Sequence, residues 1–272
     1  MKRNFGKYEA QLLAYAQLRN IRTLQTGDLI APLRLTAKQE RELLSRLTRA
    51  GVIARVRRGT YLVPPRLPLG GQWTPSEILA ISALMGDQGG CYQICGPNAF
   101  NRYGFDEQIP ARVYAYNNRI SGERKIGSVA LTLIRLQNPR LGDTEEFKTP
   151  EGLTAVYSSR VRTLVDAVYD WSRFNSLPRA YGWIRKELST KRVKAADLVR
   201  VTLQYGNQST IRRIGALLEA EGVAPLLCSR LERALRPSAS LIPYLPGYPK
   251  RGKVNRRWGV VLNDPTECRD NQ

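Results

Sequence analysis

The sequence predicts an α+β fold in which a small module of helices and a β-hairpin precedes a larger mixed α/β domain with a helical C-terminal half. Two observations predict the small module: apolar residues recur with helical spacing within residues 7–19 and 36–50, and short β-branched runs follow at 53–56 and 60–64. A third predicts the larger domain, because strand-like runs give way to a series of helical patterns in the second half of the chain.

The first two helices of the small module are predicted over residues 7–19 and, as a shorter piece, 27–33. The inward face of the first helix is predicted to consist of Tyr8, Leu12, Tyr15 and Leu18.

A third helix is predicted to begin at Thr36, because Gln39 follows three residues later with the spacing of a capping box. Ala50-Gly51 is predicted to end it. Its apolar side chains fall on one face: Leu43, Leu44 and Leu47.

The runs IARV (53–56) and TYLVP (60–64) predict two strands joined at Arg57-Arg58-Gly59. Helix, turn, helix and hairpin in this order are typical of a winged helix-turn-helix. Such a unit places its second helix in the DNA major groove and its hairpin against a nearby phosphate or the minor groove. The N-terminal module is therefore predicted to bind double-stranded DNA.

A stretch rich in proline and glycine, from Pro64 to Gly71, predicts a linker between two domains at 1–68 and 72–272. Few core contacts are expected to cross such a linker. The larger domain is predicted to begin with a helix from Thr74 to Met85, followed within 92–105 by a strand, a Gly-Pro turn and a short helix. The elements predicted after these are strands at 112–117, 129–136 and 153–158, helices at 159–174, 178–188, 195–205, 208–221 and 224–235, and a last strand in WGVVL (258–262).

The charge of the chain supports a polyanionic partner. It carries 43 Lys and Arg against 23 Asp and Glu, a net charge of +20. Residues 1–66 hold 14 basic and 4 acidic residues, residues 67–170 are nearly neutral, and residues 171–272 hold 19 basic and 8 acidic residues. Two basic ends around a neutral middle predict two surfaces that face polyanions.

The face of the third helix opposite its leucines is the candidate DNA-reading surface. Arg41 suits guanine and Gln39 adenine, whereas Arg46 and Arg49 suit phosphates. Glu42 is open between cytosine readout and an i,i+4 ion pair with Arg46. The candidate residues are Lys38, Gln39, Arg41, Glu42, Ser45, Arg46 and Arg49.

Two further basic clusters are candidate contacts. At the hairpin, Arg55, Arg57 and Arg58 would reach a phosphate or the minor groove, unless they form only a soluble tip. Near the C-terminus, a basic tail would contact nucleic acid or an acidic partner, unless it is a solvated loop. The tail residues are Lys250, Arg251, Lys253, Arg256 and Arg257.

Composition excludes several enzyme classes. The chain has no histidine, which removes Ser-His-Asp and Cys-His catalysis and the common histidine metal sites. No CxxC pair is present, which argues against a zinc site. Only carboxylate, Lys or Tyr chemistry remains for an enzyme, and we expect no catalytic residue, metal or cofactor. The chain shows neither an apolar signal-peptide core nor an apolar run of transmembrane length, so a cytoplasmic protein without membrane contact is expected.

One remote enzymatic hypothesis remains. Asp143, Glu146 and Lys148 have the carboxylate-x-Lys character of metal-dependent nucleases. Short acidic clusters of this kind are usually loops.

In four stretches taken together, the chain resembles the AbiEi-type antitoxins and regulators of bacterial abortive-infection toxin–antitoxin systems. The order of the four carries the resemblance, since each motif alone is loose. They are LTRAGVIARVRRGTYLVP (47–64), YQICGPNAFNRYGF (92–105), EGLTAVYSSRVRTLVDA (151–167) and RRWGVVLN (256–263).

The resemblance implies a transcriptional autorepressor that binds inverted repeats in its own promoter and acts as an antitoxin in phage defence. It implies a nucleotidyltransferase-like toxin as a partner. We expect a monomer or weak dimer that binds DNA cooperatively. The alternative is a winged-helix regulator without a toxin, whose C-terminal domain senses a ligand or forms oligomers.

Overall fold

The computed structural model describes residues 6–66 and 72–263 and shows a mixed α/β protein with several sheets. Its N-terminal elements occur in the predicted order, with one added strand. They are α1 (Lys7–Leu18), β1 (Thr23–Gln25), α2 (Ile30–Leu33), α3 (Ala37–Arg49), β2 (Ala54–Arg57) and β3 (Thr60–Leu62). Thr36 and Gln39 form the predicted capping box at the start of α3.

One apolar cluster holds these elements together. It includes the leucine stripe of α3 (Leu43, Leu44 and Leu47), as predicted, with Leu12 from α1. The prediction for α1 was wrong at Tyr8 and Leu18, which are 40% and 85% exposed. The helix turns Leu13 and Ala16 into the cluster instead.

The unpredicted strand β1 completes a three-stranded antiparallel sheet in the order β1-β3-β2. The backbone amide of Thr26, just after β1, donates to the carbonyl of Gly59 at 2.8 Å. A run of three residues is too short to show the alternation that predicts a strand. The formation of β1 therefore depends on its pairing with β3 in the tertiary structure.

A buried carboxylate fixes α2 relative to α3. Glu40 is fully buried, and its oxygens accept from the amide of Gly27 at 3.0 and 2.8 Å and from that of Leu29 at 3.0 Å. These amides precede α2 and have no helical acceptor of their own. The negative charge also complements the positive end of the short helix.

The middle of the chain forms a six-stranded sheet in the order β6-β7-β5-β4-β9-β8, in which β5 and β7 are parallel. Its strands are β4 (Tyr92–Ile94), β5 (Val113–Asn117), β6 (Gly122–Ile126), β7 (Val129–Arg135), β8 (Thr144–Lys148) and β9 (Thr154–Ser158), and α4 (Glu77–Asp87) and α5 (Pro97–Arg102) belong to the same stretch of sequence. The sequence did not predict β6 or β8. Both are edge strands, and their residues are largely charged and exposed. They therefore lack the alternation of apolar and polar residues that predicts a strand.

The C-terminal part is helical, as predicted, and ends in a small sheet in the order β10-β12-β11. Its elements are α6 (Arg160–Tyr169), α7 (Trp171–Phe174), α8 (Arg179–Ser189), α9 (Ala195–Tyr205), α10 (Gln208–Ala220), α11 (Pro225–Arg233), β10 (Ile242–Pro243), β11 (Lys253–Asn255) and β12 (Val260–Leu262). The single helix predicted over 159–174 was wrong, because the backbone leaves helical geometry at Asp170 (φ −95°, ψ 30°).

Close packing and a buried ion pair stabilise this helical part. Trp258 is fully buried against α10, where a Cβ on Gly215 would lie 2.2 Å from its ring, so only glycine fits there. On α6, the Nε of Arg162 donates to both oxygens of Asp166 at 2.8 and 2.9 Å, and its guanidinium lies 3.7 Å from the Tyr205 ring centroid.

The compact units differ from the predicted domains. Among the described residues, the first comprises 6–66, 72–94, 110–141 and 146–155, and the second comprises 95–109, 142–145 and 156–263. Residues on both sides of the predicted boundary at 68–72 therefore belong to one unit. The backbone amide of Trp73 donates to the carbonyl of Gly51 at 2.8 Å across this boundary. Of the predicted linker, Pro68 and Gly70-Gly71 lie outside the described residues.

None of the helices in the described ranges combines the length and apolarity needed to cross a bilayer.

Replacing Glu40 with alanine should destabilise the protein by about 3 kcal/mol, because two backbone amides lose a charged acceptor in a buried site. Urea denaturation followed by circular dichroism measures the loss. Glu42→Ala is the matched control on the exposed face of α3 and should change stability by less than about 0.5 kcal/mol. Equal effects of the two variants would contradict a structural role for Glu40.

Candidate nucleic-acid interface

The exposed face of α3 carries the predicted DNA-reading residues. All seven candidates on α3 are exposed, as the leucine stripe requires. Five make no side-chain hydrogen bond or ion pair with another described residue: Lys38, Arg41, Glu42, Ser45 and Arg49. Their charged and polar ends are therefore available to a ligand from solvent.

The other two candidates on α3 are already engaged. The Gln39 side-chain oxygen accepts from the Thr36 amide at 2.8 Å, so bidentate adenine recognition would first have to break the capping box. Arg46 pairs with Glu9 of α1 at 2.9 Å. The pair between Glu42 and Arg46 that the sequence left open is not formed, which leaves the Glu42 carboxylate exposed.

The β2–β3 hairpin places one free arginine at its tip. Arg58 and Gly59 form the turn, and Gly59 has φ +89°, which favours glycine. Arg58 is exposed, and its guanidinium has no hydrogen-bond partner among the residues described here. It is therefore the hairpin cation most accessible to a phosphate.

Arg57 was predicted to contact nucleic acid, but its side chain binds a carboxylate of the protein itself. It forms an ion pair with Asp87, the last residue of α4, and Asp87 also accepts from the hydroxyl of Thr60 at 3.1 Å. The hydrogen bond from Arg57 holds the pKa of Asp87 below its usual value. Arg55 stays exposed while its Nε donates to the Arg57 carbonyl at 3.2 Å.

In the basic tail, too, one cation is paired with carboxylates of the protein and the others are exposed. Arg257 pairs with Glu219 at 2.7 Å and with Glu232 at 2.8 Å. Burial raises the pKa of Glu219, but hydrogen bonds from Asn255, Arg257 and Trp258 outweigh it and lower the pKa overall. Arg257 therefore anchors the tail.

The remaining tail cations are exposed, in agreement with either a contact surface or a solvated loop. Lys250 donates to the Leu241 carbonyl at 3.2 Å. Arg251, Lys253 and Arg256 make no side-chain hydrogen bond or ion pair with another residue in the described ranges.

Two residues of the nuclease hypothesis, Asp143 and Lys148, have structural partners. Asp143 accepts from the Ser159 hydroxyl at 2.6 Å and faces Arg200 at 3.3 Å. Lys148 donates to the Thr154 hydroxyl at 2.6 Å on the neighbouring strand. Within residues 6–66 and 72–263, no group of three or more His, Cys, Asp or Glu side chains is placed to hold a metal.

Sequence reasoning missed two positioning residues, Glu40 and Asp87. Glu40 had a signal: it lies three and four residues before Leu43 and Leu44, so a charge occupies the apolar stripe of α3. Asp87 had none, because its partners lie 30 and 27 residues away in the hairpin.

No protein-family model and no curated protein matches this chain. Among solved structures, the crystal structure of the RV2827C protein from Mycobacterium tuberculosis is similar, with a TM-score of 0.53 and 13% sequence identity. The match covers 95% of this chain and 92% of that one. At this identity the likeness shows the fold alone.

Asp87→Asn should lower stability at neutral pH, because the uncharged amide loses the ion pair with Arg57. The pKa of Asp87 is lowered in the folded state. Its contribution to the free energy of unfolding is therefore present above the unfolded pKa and disappears as the pH falls through the folded pKa. The difference between wild type and variant in urea midpoint should therefore be clear at about pH 7 and vanish at about pH 2. Glu107→Gln, at an exposed glutamate, is the control, and a difference that persists in acid would contradict the assignment.

Proposed function

We propose that this protein is a DNA-binding autorepressor whose N-terminal segment acts as a winged helix-turn-helix. One observation carries the proposal: five polar or charged side chains on the exposed face of α3 have no partner among the described residues, while the opposite face is fixed in the core. Glu40 sets the angle between α2 and α3 from inside. A rigid helix with an unengaged polar face suits the major groove of DNA.

The charge of this segment supports the same proposal. Residues 1–66 carry a net charge of +10, and Arg41 and Arg49 lie on the exposed face while Arg58 lies at the hairpin tip. Arg41, one turn into α3, is suited to the acceptor atoms of guanine, and Arg58 to a phosphate. The proposed operator is an inverted repeat in the protein's own promoter, bound cooperatively by monomers or a weak dimer.

The antitoxin role rests on the resemblance of the four sequence stretches to AbiEi-type proteins. Under this proposal the C-terminal part antagonises a nucleotidyltransferase-like toxin in the cytoplasm. The exposed tail cations Arg251, Lys253 and Arg256 offer a surface for an acidic partner. The alternative is a regulator of the same DNA-binding type without a toxin, and the neighbouring gene distinguishes the two.

Arg41→Ala should lose discrimination between promoter DNA and random DNA, costing about 1–3 kcal/mol on the promoter only. Arg58→Ala should weaken binding to both DNAs alike and reduce the salt slope by about 1, because it removes a phosphate contact. Fluorescence anisotropy at several salt concentrations measures both quantities. If the two variants behave alike, the division into base-reading and phosphate-binding residues is wrong, and if wild type binds no DNA, the proposed function is wrong.

Repression and toxin neutralisation should separate in the full-length Arg41→Ala variant. A point variant is preferable to a fragment, because residues 6–66 and 72–94 belong to one compact unit. In cells carrying a promoter reporter and the adjacent gene, the variant should derepress the promoter by about tenfold or more and still protect against the toxin. Loss of protection together with repression would show that neutralisation depends on DNA binding. An adjacent gene that is not toxic would favour the regulator alternative.

A further inference from the structure

A groove of about 510 Å³ lies beside the C-terminal end of α3, within the first compact unit. One wall is formed by the end of α3 and by β2, and the other by β6 and the residues that precede α4. The side chains that line it include Arg49, Arg55, Trp73 and Lys125.

Close backbone packing fixes the two walls. Gly127, in the turn after β6, has φ +60°, and a Cβ there would lie 3.1 Å from Pro75 and 3.3 Å from the Cβ of Ala54 in β2. Its lack of a side chain lets β6 approach β2. Ser128 donates to the hydroxyl of Thr74 at 3.0 Å, which ties the same turn to the segment before α4.

The groove is cationic, and one of its cations, Lys125, comes from the stretch 67–170 that is nearly neutral overall. Arg49, Arg55 and Lys125 line it, and none of the described lining residues carries a carboxylate. The acidic neighbour on β6, Glu123, pairs with Arg112. Lys125 is exposed and makes no ion pair with any other described residue.

The groove is continuous with the proposed DNA-reading face, because Arg49 belongs to both. We infer that the groove holds the sugar–phosphate backbone of DNA beyond the base pairs read by α3, so that β6 lengthens the footprint. This inference rests on the proposed DNA binding. Arg49, Arg55 and Lys125 line the same groove. A surface of exposed cations without carboxylates favours the phosphate chain over any particular base.

The test compares two duplexes made from the protein's own upstream DNA, a short one restricted to the half-site and a long one extended by about 10 base pairs at each end. Lys125→Gln should lower affinity for the long duplex severalfold and reduce its salt slope by about 0.9, the value for one phosphate contact. Binding to the short duplex should not change. Arg124→Gln is the matched control, since it removes the same charge from the adjacent position of β6, outside the groove.

The outcomes separate the two proposals. If wild type binds neither duplex, the proposed function fails and the footprint fails with it. If wild type binds and Lys125→Gln equals wild type or Arg124→Gln on the long duplex, the groove does not hold DNA and only this inference is wrong. Equal weakening on both duplexes would also overturn it, because the groove would then belong to the half-site. Thermal unfolding of both variants checks that the fold is unchanged.

Discussion

The buried carboxylate of Glu40 is the constraint on which the presentation of α3 depends. A charged group in a core is costly unless hydrogen bonds compensate it, and the amides of Gly27 and Leu29 supply those bonds. Because these amides precede α2 and the carboxylate belongs to α3, one side chain fixes both helices. The leucine stripe could tolerate small rotations of α3, whereas hydrogen bonds are directional. The exposed face is therefore held in one orientation.

Asp87 plays a comparable part for the hairpin. It lies at the end of α4 and binds Arg57 and Thr60 from the two hairpin strands. The hairpin is consequently supported by a segment that the linker was expected to separate from it. A proline- and glycine-rich stretch marks a change in local conformation, but the contacts that define a compact unit come from side chains far apart in sequence.

The net charge of a segment does not say which of its charged side chains are exposed and can bind a ligand. Of the candidate cations, Arg46, Arg57 and Arg257 are paired with carboxylates, so they stabilise the fold as well as adding positive potential. Lys125 is the opposite example, because it belongs to the nearly neutral stretch 67–170 but is an exposed cation that lines the groove. Net charge per segment predicts long-range attraction to a polyanion. It does not identify which side chains can make contact.

The sequence by itself determined the mixed α/β class, the capping box of α3 and the buried and exposed faces of α3, because capping and apolar periodicity are local properties read over a few residues. It could not reveal the edge strands β6 and β8, the break at Asp170 or the outward position of Leu18, since each depends on what packs nearby. The candidate site divides in the same way. Exposure of Arg41 follows from the helical period, whereas the engagement of Arg57 was decided by the tertiary structure, because its carboxylate partner lies 30 residues away.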